Sequence, residues 1–234
     1  MTNVRPQQGS QSIHISPWYL IITAFFITSL LTANIIAVKL VQIAGLIVPA
    51  GLIVFPLSYI FGDVLTEVYG YRRARLTIWL GFASNLLMVV AIWVGGLLPP
   101  APFWQENQQA YETILGFAPR LLLASFIAYL AGEFANALIL ARMKIATRGR
   151  FLWMRTIGST IIGQGLDTVI FILVAFGNTG QPLAQIILNQ WLIKVAYEAL
   201  ATPLTYAVVN FLKQKEGIDV YDVGTNFNPL SLTE

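Results

Sequence analysis

Long apolar runs separated by short polar segments dominate this chain. A helix that crosses a membrane needs about 20 mostly apolar residues. Six stretches qualify: Pro17–Val38, Leu40–Gly62, Leu76–Leu98, Leu121–Ala141, Thr156–Phe176 and Leu183–Leu212. Ser16 before Pro17 forms a cap followed by a first-turn residue. Pro49, Gly51 and Pro56 interrupt the second stretch, which is expected to begin as a loop or broken helix. It should become helical from about Ala50 to Tyr69 and end at Gly70. The last stretch is long enough to require tilt or a bend, with Pro203 marking the kink. The expected fold is an all-α, polytopic bundle of six transmembrane helices over residues 17–212, with polar tails at 1–16 and 213–234. Met1–Ser16 lacks the features of a cleavable signal, so the first span should remain.

Charges in the connections predict the orientation. Arg72, Arg73 and Arg75 follow the second span, Arg142, Lys144, Arg148, Arg150 and Arg155 follow the fourth, and Lys213 and Lys215 follow the sixth. The alternate connections carry only Lys39, then Glu106, Glu112 and Arg120, then no charge. This alternation places both termini in the cytoplasm. The segment Phe103–Phe117 is the longest outer connection. Its Phe103, Trp104, Tyr111 and Ile114 fit either an interfacial aromatic belt or a lid over a cavity.

Composition narrows the class. The chain is 56% hydrophobic and 11% charged, against about 25% charged in an ordinary soluble domain. The net charge of +3 is explained by the loop distribution and does not indicate nucleic acid. The lack of cysteine excludes disulfides and thiolate metal sites, and a single histidine, His14, outside the spans counts against zinc proteolysis and an intramembrane Ser–His dyad. No metal site or cofactor is expected. No GxxxxGK[ST] phosphate loop occurs, so any ATP dependence requires another subunit. GQGLDT around Gly163 lacks the third glycine of a dinucleotide fingerprint and reads as close helix packing.

Against this background the ionisable residues inside the spans stand out. A charge at the bilayer centre costs roughly 2.5–3.5 kcal/mol on insertion scales and normally faces a cavity or a partner. Glu133, Asp167, Lys194 and Glu198 lie in the last three spans at similar depth. Residues three or four apart share a helix face. Tyr129, Glu133 and Asn136 therefore align, as do Thr160, Gln164 and Asp167, and Gln190, Lys194, Tyr197, Glu198 and Thr202. Convergence of these stripes on one water-accessible chamber is the leading expectation. The alternative is an interhelical network that only fixes packing, with Lys194 paired to Glu198. If Lys194 neutralises one acid, the others favour a cation or a small, flat solute rich in N–H donors, because a carboxylate accepts two parallel donors well. Tyr129 and Tyr197 fit either stacking on such a ring or ordinary packing. Asn34 in the first span is a candidate for the outer side of the chamber.

Asp63 and Glu67 share one face just ahead of Arg72, Arg73 and Arg75. They are expected to form either an interfacial ion-pair network that locks the loop or a cytoplasmic gate.

Several blocks also resemble the queuosine precursor transporter family, described too as vitamin-uptake-like. They are ANIIAVKLV (Ala33–Val41), PAGLIVFPLSYIFGDVLTEVYGYRRAR (Pro49–Arg75), GEFANALILARMK (Gly132–Lys144), IGQGLDTVIF (Ile162–Phe171) and KVAYEALATPLTY (Lys194–Tyr206). The resemblance implies a bacterial inner-membrane importer of 7-cyano-7-deazaguanine and 7-aminomethyl-7-deazaguanine for salvage of the modified tRNA base. It also implies a bundle like the substrate-binding subunits of energy-coupling-factor vitamin transporters. Its expected partners are these 7-deazaguanine bases and the lipid bilayer, with a homo-oligomer left open. Two other readings stay open: a binding subunit that needs a separate ATPase module, and a membrane-embedded enzyme using paired carboxylates. Glu133, Asn136, Asp167, Lys194 and Glu198 lie within the matching blocks, but their assignment to the solute site comes from depth and facing.

Overall fold

The computed structural model describes residues 16–43, 46–116, 119–177 and 182–231. The polar tail before Ser16, with His14, and Phe117 lie outside these. Seven helices occur among the described residues: α1 (Pro17–Ile36), α2 (Phe55–Tyr69), α3 (Tyr71–Leu97), α4 (Gln108–Leu115), α5 (Pro119–Ala146), α6 (Leu152–Phe176) and α7 (Leu183–Glu216). Of these, α1, α3, α5, α6 and α7 are long and apolar enough to cross a membrane. The chain is thus an all-α, polytopic membrane protein.

The second apolar stretch is not one helix. Strands β1 (Leu40–Ile43) and β2 (Leu46–Pro49) form an antiparallel hairpin, with Leu40 opposite Pro49 and Ile43 opposite Leu46. A 3-10 turn, Ala50–Ile53, follows, and α2 begins only at Phe55. The prolines explain the break. Pro49 cannot donate in a helix interior, whereas Pro56 sits in the first turn of α2, where an amide would lack an intrahelical partner anyway. Fifteen residues make α2 about 22 Å long, short of a hydrocarbon core of about 30 Å.

Helix ends also extend past the expected spans. α3 starts at Tyr71, so Arg72, Arg73 and Arg75 lie in its opening turns and not in a loop. α7 runs on to Glu216, with Pro203 inside a continuous helix. Gly70 separates α2 from α3 at φ +82°, a conformation that only glycine adopts without strain. A side chain there would also press into Val220, 2.7 Å from where its Cβ would lie.

α5 and α6 pack closest where glycines face each other. A Cβ at Gly132 would lie 2.7 Å from that of Asp167, and one at Gly163 would lie 2.7 Å from that of Asn136. Small residues at such crossings let backbones approach, which fixes the polar stripes of the two helices side by side. The buried core gathers Phe26 and Leu30 of α1, Ile60, Val64 and Val68 of α2, and Ile78 of α3. Outward-facing Leu87, Trp93, Leu97 and Leu200 are exposed, as residues facing lipid should be.

C-terminal residues after α7 are docked onto the arginine-rich end. Val220 donates its amide to Val68 O, and the Tyr71 amide donates to both carboxylate oxygens of Asp222, at 3.1 and 3.0 Å. Arg75 donates to the carbonyls of Asn226 and Asn228, and the Trp79 indole donates to that of Pro229.

Candidate functional site

A cavity of about 230 Å³ opens in the half of the bundle nearest the hairpin. α1 lines it with Asn34, α3 with Asn85, α5 with Tyr129 and Glu133, α6 with Gln164 and Asp167, and α7 with Gln190 and Lys194. Polar stripes from the last three long helices therefore do meet around one space.

Within it the charges are unequally partnered. Lys194 Nζ lies 2.5 Å from Asp167 Oδ2 and 3.2 Å from Thr168 Oγ1. Glu133 has no hydrogen-bond or ion-pair partner among the described residues, although Asp167 and Lys194 are the charges that act on it. The cavity therefore presents one compensated carboxylate and one uncompensated carboxylate. Asn34 Nδ2 donates to Asn85 Oδ1 at 3.1 Å, bridging α1 and α3 across one wall. The Tyr129 hydroxyl donates to Ile78 O at 3.0 Å, which fixes its ring against the cavity.

α2 supplies a wall that the sequence reading missed. Phe55, Ser58 and Tyr59 face the cavity with Phe171 of α6, and Tyr59 interacts with the Gln164 side chain. The signal available for Asn85 was its place as a lone amide within an apolar span. Tyr59 sits in an aromatic-rich apolar run, FPLSYIF, where it looks like any packing residue.

Three of the expected cavity residues lie elsewhere. Asn136 Nδ2 donates to Asp63 Oδ1 at 2.7 Å, deeper in the bundle. Glu198 is buried on α7 and does not line the cavity. Tyr197 is 36% exposed on the outside of α7 and lines no part of the cavity either. Lys194 pairs with Asp167 and not with Glu198, because α6 brings a carboxylate to it more directly than the next turn of its own helix does. Phe103 is almost fully exposed, and Tyr111 donates to Ile92 O of α3. Neither lines the cavity.

At the arginine-rich end Glu67 is fully buried, and its partners differ from those expected. Arg155 Nη2 of α6 and Lys213 Nζ of α7 each lie 2.7 Å from Glu67 Oε1, with Lys144 Nζ of α5 at 3.7 Å. Lys144 and Lys213 also reach Asp219 in the C-terminal segment, at 2.5 and 2.9 Å. Burial alone would raise the Asp219 carboxyl, but the two ammonium groups outweigh it and hold it below the usual aspartate range. Arg72, Arg73 and Arg75 make no ion pair with Asp63 or Glu67 among the described residues. Arg73 lies over the rings of Tyr19 and Tyr69, and Arg75 is committed to the C-terminal carbonyls. The physical reason is direction: these arginines start a new helix beyond the Gly70 turn and point away from the inner face of α2.

A multi-pass bundle enclosing a polar, partly charged cavity defines a polytopic membrane protein with an internal chamber. The family comparison specifies it further: residues 49–208 match the model described as "Putative vitamin uptake transporter", and the chain belongs to that family of transporters. It is 34% identical over 187 residues to a "Probable queuosine precursor transporter" of Bacillus subtilis, covering 79% of this chain and 81% of that protein. Identity is 23% to the "Queuosine precursor transporter" of Escherichia coli, over 66% of this chain and 67% of the relative. It is 24% to a similarly named Haemophilus influenzae protein, over 56% of this chain and 53% of the relative. No solved structure matches.

Proposed function

We propose that the chain imports queuosine precursors, 7-cyano-7-deazaguanine and 7-aminomethyl-7-deazaguanine, across the bacterial inner membrane. The observation that carries this reading is the uncompensated Glu133 carboxylate beside the Asp167–Lys194 pair, in a cavity walled by Phe55, Tyr59, Tyr129 and Phe171. A 7-deazaguanine offers adjacent ring N–H and amino donors on one edge, which match a carboxylate in a two-point contact. Its flat faces match aromatic walls. The cavity volume lies just below the roughly 300–1,000 Å³ of sites for drug-sized ligands, a size suited to a small bicyclic base.

Six crossings with both termini in the cytoplasm complete the proposal. The 3-10 turn Ala50–Ile53, rising about 2.0 Å per residue, adds roughly 8 Å to the 22 Å of α2. The total supports a sixth, broken crossing, a form tolerated where backbone lines a cavity. Arg155, Lys144 and Lys213 gather at the end opposite the hairpin, which the positive-inside rule assigns to the cytoplasm. The cavity then faces outward.

Uptake of labelled 7-deazaguanines by cells unable to synthesise them tests this directly. Cells carrying the chain should accumulate label and those without it should not. Absence of uptake despite normal abundance in the membrane would overturn the proposal. Uptake by vesicles containing this chain alone separates an autonomous importer from a subunit that needs an ATPase.

A further inference from the structure

A second polar enclosure lies one helical turn beyond the cavity, toward the arginine-rich end. Asp63 follows Tyr59 by four residues on α2, Glu198 follows Lys194 by four on α7, and Asn136 follows Glu133 by three on α5. All three are deeply buried, at 0%, 1% and 4% exposure for Asp63, Glu198 and Asn136. The Asn136 amide nitrogen is spent on Asp63 Oδ1. That leaves Asp63 Oδ2, Asn136 Oδ1 and Glu198 Oε1 buried without a partner, and every one of them is an acceptor.

Nearby cations are committed elsewhere. Lys194 is held by Asp167, while Arg155 and Lys213 are held by Glu67. Asp63 and Glu198 each stand one turn past a cavity-lining residue on α2 and α7, which pack against each other, so the two carboxyls lie at one level of the bundle. An unpaired buried acceptor costs about 1–3 kcal/mol, and a charged one more. Among the described residues no donor reaches these three acceptors from three helices, and a small positive species would serve them. None of the three residues lines the solute cavity, so a solute held there does not reach them. Two carboxyls and an amide oxygen fall short of the roughly six to eight oxygens that a calcium ion takes, which favours a monovalent ion.

We propose that Asp63, Asn136 and Glu198 form a monovalent-cation site, for a proton or a sodium ion, separate from the solute cavity. Its role in coupling ion entry to solute import rests on the transport reading above, with Glu133 lying between the two sites. Binding of the ion itself does not depend on that reading.

The test uses the purified full chain in detergent, without solute, and follows its thermal midpoint in wild type, Asp63→Asn and Glu198→Gln. Sodium chloride is titrated against choline chloride at fixed pH, and pH is then scanned from about 5 to 9 without sodium. Ligands that bind only the folded state raise its midpoint. A sodium site gives a sodium-dependent rise in wild type, with the apparent affinity at least tenfold weaker in both variants. A proton site gives no sodium response, and the wild-type midpoint falls as pH rises. The variants lose that part of the slope. Glu133, Glu67, Asp167 and Tyr59 also face this region and titrate in all three proteins, so only the difference between wild type and variants counts. If Asp63→Asn does not accumulate, Glu198→Gln alone gives the same reading. Identical responses to sodium and pH in wild type and variants would overturn the site. A failure of 7-deazaguanine uptake with the ion response intact would instead fall on the proposed solute.

Discussion

The two ends of this bundle spend their charges differently. At the arginine-rich end cations outnumber the buried carboxylate of Glu67: two touch Oε1 at 2.7 Å and a third stands close by, while Oε2 has no partner among the described residues. In the cavity the ratio is reversed, with Lys194, the one cation among its described lining residues, held by Asp167 and Glu133 left over. A carboxylate crowded by cations ties α2 to α6 and α7, whereas an unpartnered carboxylate in a cavity is free to accept a donor. The contrast separates a sealed end from a receptive one.

The largest effect should come from dismantling the sealed end. Breaking a buried ion pair by removing one partner costs about 3–5 kcal/mol. Glu67→Ala leaves Arg155 without a carboxylate and Lys144 and Lys213 with Asp219 alone, and should sharply lower both the thermal midpoint in detergent and the abundance in the membrane. Lys194→Met should be next. It leaves Asp167 uncompensated and lowers uptake strongly, and adding Asp167→Asn should restore abundance without restoring uptake. A double-mutant cycle measures that coupling. Asp222→Ala removes the carboxylate that caps the first amide of α3, and caps contribute about 0.5–2 kcal/mol. Its midpoint should drop modestly with uptake retained. The smallest effect concerns Asp219. Its carboxyl is held low by Lys144 and Lys213, so its contribution is present above the ordinary aspartate range, near pH 3.9, and is lost as pH falls through the lower folded value. Asp219→Asn should reduce stability at neutral pH slightly and flatten the acid limb of a midpoint-versus-pH curve.

How far the sequence discloses this contrast depends on the range of the contacts. Apolar run length located α1, α3, α5, α6 and α7, since crossing a bilayer is a local demand on composition. The spacing of Glu133, Asp167 and Lys194 showed which faces were polar, and the glycines at 132 and 163 explain why two of those faces meet. The partners of Glu67 could not be read in the same way, because Lys144, Arg155 and Lys213 are 77, 88 and 146 residues away. Proximity in sequence favoured Arg72, Arg73 and Arg75, which the Gly70 turn carries off. The docked C-terminal segment was equally hidden: Asp222 meets Tyr71 across 151 residues. Tyr197 misled for a different reason. Its neighbours Lys194 and Glu198 face inward, but a broad stripe on a helix does not say where its edge falls.

The central claim is that Glu133 receives the solute. Equilibrium binding of labelled 7-aminomethyl-7-deazaguanine to purified protein tests it most directly, comparing wild type with Glu133→Gln and Tyr197→Phe. Loss of a charge-assisted contact of about 1.5–3 kcal/mol should weaken binding roughly 10- to 100-fold in Glu133→Gln, while Tyr197→Phe binds like wild type. Equal affinity for wild type and Glu133→Gln would contradict it.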